Sequence, residues 1–270
     1  MISQDTKLCA IFLHPAGHTR SPAMHNAAFA TLGLDAVYLA FDVAPKALGD
    51  AIAGARALGI HQLAISIPHK ESVMTHLDEV EETARHIGAV NTVTRVDNRL
   101  VGANTDWLGA VRALERETEL PGRHAVVLGA GGAARAAAYG LRQSGALVTV
   151  LNRSPERAEA MARDLELDHA GPLSDLIDRD YDVLVNTTPV GLREDRSPVD
   201  PELLRAGAVV LDAVYDPAET RLLREAALRG ARPVGGKWML VEQALAQLRL
   251  WVGDAPDAAV LAQAFDAAGP

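Results

Sequence analysis

The chain has 270 residues, 49% hydrophobic and 23% charged. That composition excludes bulk disorder and is long enough for one or two domains with cores of their own. Against 35 acidic residues stand 26 Lys and Arg, a net charge of −9, which excludes a general polyanion binder. No nucleic acid or membrane is an expected partner, and an anionic ligand must meet local positive charge.

One cysteine, Cys9, excludes an intrachain disulfide and fits a reducing compartment. It lies in an apolar run and is expected as a buried small hydrophobe. The first residues carry no basic n-region and no long apolar h-region. No stretch approaches the roughly 20 apolar residues of a membrane span. The expected location is the cytoplasm.

In chain order, residues 8–13 read as a strand. Ser21-Pro22 offers an N-cap with proline at the first helical position, and Gly33 a stop. Residues 37–41 read as a strand, 45–58 as a helix ended by Gly59, and 63–67 as a short strand meeting Pro68. Residues 78–87 read as a charged helix stopped by Gly88. Residues 90–96 and 100–103 flank Asp97-Asn98 as a hairpin. After a loop at 120–123, strand 124–128 leads through a glycine turn into an alanine-rich helix, 133–144. Strand 147–151, helix 155–165, strands 182–185 and 208–212 and a helix over 238–251 follow. The alternation predicts an α/β protein with a parallel, doubly wound sheet.

Four groups of residues carry chemistry. Gly129-Ala130-Gly131-Gly132-Ala133-Ala134 fits G-x-G-x-x-A between a strand and a helix. The first glycine permits the tight turn, Gly131 lets backbone N–H groups approach a pyrophosphate, and the helix N-terminus favours the phosphates. The next strand ends in Asn152-Arg153-Ser154 with Arg157 one turn on, and no carboxylate stands at its tip. Two guanidiniums and a hydroxyl suit a ribose 2′-phosphate, so NADP is expected over NAD. Thr187 and Thr188 in Asn186-Thr187-Thr188-Pro189-Val190-Gly191, and Ala213 in Ala213-Val214-Tyr215-Asp216-Pro217, fall at strand ends where such sheets bind ligands. Turn chemistry accounts for both segments equally well. In the first half, Thr19-Arg20-Ser21, Ser66 to Lys70, Asn91-Thr92 and Asn104-Thr105-Asp106 gather hydroxyls, amides, a lysine and a carboxylate. They could bind a polyhydroxylated small acid, or serve as helix caps and surface charge. No metal is expected.

Together these segments closely resemble the shikimate dehydrogenase family. The residues that carry the resemblance are His18-Thr19-Arg20-Ser21-Pro22-Ala23-Met24-His25-Asn26, Ile67-Pro68-His69-Lys70, Gly88-Ala89-Val90-Asn91-Thr92 and Gly102-Ala103-Asn104-Thr105-Asp106. The glycine turn, Asn152-Arg153-Ser154, Asn186 to Gly191, Val214-Tyr215-Asp216-Pro217 and Gly236 with Met239-Leu240-Val241-Glu242-Gln243 complete it. They occur in the family's order over nearly the whole chain.

The resemblance implies an α/β enzyme of two domains with a cleft between them. One is a substrate domain of residues 1–105 completed by 237–270, and the other a Rossmann-type NADP domain of 106–236. It implies NADP-linked, reversible reduction of 3-dehydroshikimate to shikimate on the chorismate route to the aromatic amino acids. Lys70 and Asp106 would be the catalytic pair. Thr19 and Ser21, with Tyr215, would bind the substrate carboxylate, and Ser66, Asn91, Asp106 and Gln243 its hydroxyls. Ala213 and Gly236 would lie near the nicotinamide. Self-association, if any, is expected as a homodimer. Thr19, Ala64 and Ser66 stand where the family usually has serine, asparagine and threonine. Quinate/shikimate dehydrogenases and paralogues acting on other cyclic hydroxy acids share most of these motifs. An inactive nucleotide sensor is the reading from another class, and retention of Lys70 and Asp106 argues against it.

Overall fold

The computed structural model describes residues 2–17 and 19–269, so His18 of the first motif lies outside the described residues. The chain divides into two compact units, Met1–Thr105 with Ala244–Pro270, and Asp106–Gln243. The first unit holds a six-stranded mixed sheet. Its elements begin β1 (Lys7–Leu13), α1 (Ser21–Thr31), β2 (Ala36–Asp42), α2 (Leu48–Ala57), β3 (Gln62–Ile65). They continue β4 (Glu79–Val80), α3 (Glu82–Ile87), β5 (Thr92–Val96) and β6 (Arg99–Ala103). The strand order is β2-β1-β3-β5-β6-β4. Strands β1, β2 and β3 run parallel, while β5 is antiparallel to both β3 and β6.

Three local findings differ from the sequence reading. Helix α1 begins at Ser21 with Arg20 as its cap residue, and no side chain caps it. Instead the Ser21 amide donates to the Thr19 hydroxyl at 3.3 Å, so the Ser21 hydroxyl is not used as a cap. Residues 45–47 form a 3-10 turn ahead of α2. The segment 78–87 is helical only from Glu82, because Asp78 accepts the Leu100 amide at 2.7 Å and Glu79–Val80 pairs with β6. The hairpin turn has both Asp97 (φ 47°) and Asn98 (φ 67°) left-handed, the conformation a two-residue turn needs to match strand twist.

One apolar layer of this unit gathers Ala10, Phe12, Leu48, Ile52, Leu63, Ile65 and Val93. On the opposite face of the sheet Cys9 is buried between its neighbours Tyr38 and Gln62, and burial pushes its thiol up to about 12, so it is inert. Asn26 clamps the edge strand β2: its amide nitrogen donates to the Tyr38 carbonyl at 3.0 Å and its oxygen accepts the Tyr38 N–H at 2.8 Å.

The second unit is α4 (Asp106–Glu115), β7 (His124–Leu128), α5 (Gly132–Gln143), β8 (Leu147–Asn152), α6 (Pro155–Leu165), β9 (His169–Pro172), β10 (Val183–Asn186), β11 (Val209–Asp212), α7 (Arg221–Leu228) and β12 (Arg232–Gly235). All six strands are parallel, in the order β12-β11-β10-β7-β8-β9. Counted from β7 this is 3-2-1-4-5-6, the doubly wound order whose switch point lies between β7 and β10. Near-continuous apolar runs such as Ala125–Leu128 are buried on both faces, as a helix-covered parallel sheet requires.

Helix α8 (Gly236–Val252) is continuous, and α9 (Ala258–Ala267) closes the chain. The chain therefore rejoins the first unit after Gln243 and not after Gly236. The reason is packing: Met239 belongs to the second unit's core, and Gly109 of α4 meets Met239 and Gln243 so closely that an added Cβ would lie 2.6 Å from the Met239 carbonyl.

Candidate active site

In the first unit, main-chain bonds bring two expected segments side by side at the carboxyl end of β3. The Ile65 N–H donates to the Asn91 carbonyl at 2.8 Å, and the Val90 N–H to the Lys70 carbonyl at 2.8 Å. Ser66, Lys70 and Asn91 are thus neighbours in the backbone frame. His69 is buried and its Nε2 donates to the Val43 carbonyl at 2.7 Å, which anchors the loop that carries Lys70.

Asn91 is buried and its side chain is oriented by a dense set of donors. Its Oδ1 accepts from the Thr105 N–H at 2.8 Å and from the Thr92 hydroxyl at 2.7 Å, and its Nδ2 donates to the Thr105 hydroxyl at 3.0 Å. The amide oxygen is therefore used internally, and Asn91 would meet a ligand through Nδ2. Thr105 immediately precedes Asp106, the first residue of α4.

Ser21 lies at the start of α1, 3% exposed, and Thr19 just before it. His25, one turn on and fully buried, donates from Nδ1 to the Ser21 carbonyl at 2.9 Å. Burial pushes the His25 pKa down to about 4, with the Ser21 carbonyl and the Gln247 side chain acting in the opposite sense. Between about pH 4 and 6.5 the unfolded chain then binds a proton that the folded chain does not, so stability falls as pH falls through that window. Thermal melts from pH 7 to pH 4.5 should decline less steeply for His25→Gln than for the parent. Parallel declines would assign the acid sensitivity elsewhere.

In the second unit, Gly129 has φ +113°, and an added Cβ would meet the Thr187 hydroxyl at 2.7 Å. Only glycine fits there, between β7 and the loop after β10. Beside it, a Cβ on Gly131 would meet nothing within 4 Å, which leaves the approach to the N-terminus of α5 open. Ala130 and Gly131 form the turn, and Gly132 and Ala133 open the helix. Thr187 caps the Leu128 carbonyl at 2.6 Å and Thr188 donates to Asn186 Oδ1 at 2.7 Å.

The tip of β8 comes to the same place. Asn152 donates to the Ser154 carbonyl at 3.0 Å, and Arg157 reaches the Ala130 carbonyl at 3.2 Å. Arg153 is exposed at that tip. Ala213 follows β11, with its N–H on the Asn186 carbonyl at 2.8 Å. A Cβ on Gly236 would come within 2.7 Å of the Asp212 and Ala213 carbonyls, so α8 starts directly against this strand end. Tyr215 is half-buried in the following loop, and Gln243 is buried two turns into α8 with Nε2 donating to the Leu240 carbonyl at 2.9 Å.

Sequence reasoning missed one organising group here. Asp212 is fully buried and accepts from Asn186 Nδ2 (2.9 Å), the Val214 N–H (3.0 Å) and the Thr220 hydroxyl (2.6 Å). Burial pushes its pKa up to about 6, against the pull of those three donors. It ties the two loops at the sheet edge together. A carboxylate closing an apolar strand, followed by a threonine eight residues on, was the available signal. Among the described residues no group of His, Cys, Asp or Glu could hold a metal, and no helix is long and apolar enough to cross a membrane.

The glycine turn, the 3-2-1-4-5-6 sheet and the arginines at the tip of β8 define a protein with a dinucleotide-binding unit of the Rossmann type. Residues 11–93 match the family model of the shikimate dehydrogenase substrate binding domain, and residues 112–190 that of shikimate / quinate 5-dehydrogenase. The shikimate dehydrogenase (NADP(+)) of Thermococcus kodakarensis is 48% identical over 265 residues, 95% of each chain. The crystal structure of shikimate 5-dehydrogenase from Thermus thermophilus, in complex with NADP(H) and shikimate, superposes with a TM-score of 0.91 at 39% identity, over 97% of this chain and 100% of that one. Quinate dehydrogenase from Corynebacterium glutamicum in complex with NAD gives a TM-score of 0.88 at 30% identity, over 97% and 99%. The chain belongs to the shikimate dehydrogenase family.

Proposed function

We propose that this chain interconverts 3-dehydroshikimate and shikimate with NADP, using Lys70 and Asp106 as its catalytic pair. The activity and cofactor are those of its relatives, such as the Thermococcus kodakarensis enzyme, and the glycine turn and Arg153 suit that cofactor. The bound dinucleotide supplies or takes the hydride. The residues present fit it: Gly129 to Ala133 and the start of α5 receive the pyrophosphate, and Asn152, Arg153, Ser154 and Arg157 the 2′-phosphate. Thr187, Thr188, Ala213 and Gly236 would lie toward its nicotinamide end.

Lys70 gives its proton to the C3 oxygen as the carbonyl is reduced and takes it back in the reverse direction, with Asp106 sharing that role. Ser21 and Thr19, assisted by Tyr215, hold the carboxylate. Ser66, Asn91, Asp106 and Gln243 hold the ring hydroxyls and fix the face of the ring. The observation that carries this reading is the alignment of Ser66, Lys70 and Asn91 by main-chain bonds at one strand end. Residues 1–105 with the C-terminal helices serve the substrate and the middle of the chain the cofactor. A cytoplasmic location agrees with the lone, buried Cys9. Homodimer formation is read directly by light scattering.

A second substrate, quinate, is favoured by one observation: the quinate dehydrogenase likeness, alongside the departures at Thr19, Ala64 and Ser66. Quinate adds a C1 hydroxyl on a saturated ring, and a polar group buried without a partner costs about 1 to 3 kcal/mol. Initial rates with shikimate and quinate, each with NADP and NAD, should give the highest kcat/KM for shikimate with NADP. A higher kcat/KM for quinate would reverse the substrate assignment.

A further inference from the structure

Gln247 lies one turn beyond Gln243 on α8, 1% exposed, in the first unit. A buried primary amide is costly unless its hydrogen bonds are made. Its Nε2 donates twice, to the Asn91 carbonyl at 3.2 Å and to the Thr92 hydroxyl at 3.0 Å. The orientation of this amide is not arbitrary: a main-chain carbonyl can only accept, so the NH₂ must face Asn91.

The consequence runs outward along the bonds. The Thr92 hydroxyl carries one proton. With Gln247 donating to its oxygen, that proton is turned onto Asn91 Oδ1 at 2.7 Å. A competing acceptor stands nearby, the Thr105 hydroxyl at 3.4 Å. Each donor on Asn91 Oδ1 makes the flipped amide, with NH₂ where the oxygen now lies, a clash of donors. The Thr105 N–H already turns the oxygen inward, and Gln247, through Thr92, adds the second donor that holds the Asn91 amide in that orientation.

We propose that Gln247 and Thr92 are positioning residues for the substrate: a donor relay, Gln247 to Thr92 to Asn91, that presents the Asn91 Nδ2 to a ring hydroxyl. This rests on the assignment of Asn91 to the substrate. The relay touches no reacting atom, so its signature is substrate affinity and not turnover. It is also a chain, so cutting it at either link does the same damage.

The test compares Gln247→Met and Thr92→Val, both close in shape and both unable to make the relay bonds, with their double, with Thr92→Ser, and with Asn91→Ala. The expected result is a rise of about 5- to 30-fold in the KM for shikimate in each single. The double should be no worse than the worse single. The turnover number and the KM for NADP should stay within about 3-fold, and Thr92→Ser, which keeps the hydroxyl, should keep the parent KM. Lowered melting temperatures with an unmoved shikimate KM, a rise in one single only, or an additive double overturn the relay. If Gln247→Met does not fold, Thr92→Val against Thr92→Ser decides by the same KM. If Asn91→Ala itself leaves the KM unmoved, the placement of Asn91 at the substrate fails and the relay with it. If Asn91→Ala raises the KM and the relay variants do not, only the relay falls.

Discussion

Lys70→Ala lowers turnover by about 10² to 10⁴-fold while the KM for shikimate moves only a few-fold, the range a positioned acid–base group contributes. A lysine suits this task because its proton can be shared with a substrate oxygen, which an always-charged guanidinium could not do. Asp106→Asn keeps the shape and removes the charge, so it should act in the same sense. The two groups are assigned one function, and groups acting as a unit are not additive. The double variant should be scarcely slower than the slower single. The measurement is steady-state rates in both directions, with NADP binding by fluorescence as a folding control. Near-normal turnover in Lys70→Ala would make Lys70 a ligand contact or a surface charge, and the proton would need another donor.

Arg153→Ala raises the KM for NADP by roughly 10- to 100-fold and leaves that for NAD within about 2-fold, because one charge-assisted contact to a phosphate is lost and NAD never makes it. Arg157 differs in kind. It already bonds the Ala130 carbonyl of the glycine turn, so its removal disturbs the turn as well as any phosphate contact. Arg157→Ala should therefore weaken both cofactors, NADP more. Equal losses for both cofactors in Arg153→Ala would withdraw the 2′-phosphate from this strand tip. The loss should shrink at high ionic strength, since an exposed charge is screened.

Much of the second unit was readable because its strands are buried on both faces and appear as unbroken apolar runs with glycine at the turns. The exceptions are its two edges. Strands β9 and β12 carry Pro172 and Pro233, show no apolar run, and pair on one side only, where proline is tolerated. Helix α4 was overlooked because it starts straight from the hairpin, with Asp106 belonging at once to a motif and to the first turn. In the first unit, Asp78 reads as a helix start, yet its carboxylate serves a strand amide.

In the candidate site, residue type and order in the sequence single out Gly129, Arg153, Lys70 and Asn91. The site was illegible where a residue works through another. His25, Gln247, Thr220 and Asp212 are ordinary letters in a helix or at a strand end, and only the fold shows which carbonyl or hydroxyl each one meets.

The first unit is interrupted in the chain. Helix α1 packs against α9, with the Arg20 guanidinium over the Phe265 ring at 4.3 Å and His25 in contact with Trp251. During synthesis the residues of α1 wait for partners that leave the ribosome only after the whole of Asp106–Gln243. The later unit is one continuous segment and can close while the earlier one, its six strands already made, still waits for its C-terminal helices. Ribosome-bound chains in which Gln243 has emerged and α9 has not would therefore carry a finished nucleotide-binding unit and an unfinished substrate unit. A chaperone that shields Met24, Ala28 and Phe29 in that interval would have more influence on yield than one acting on the glycine turn.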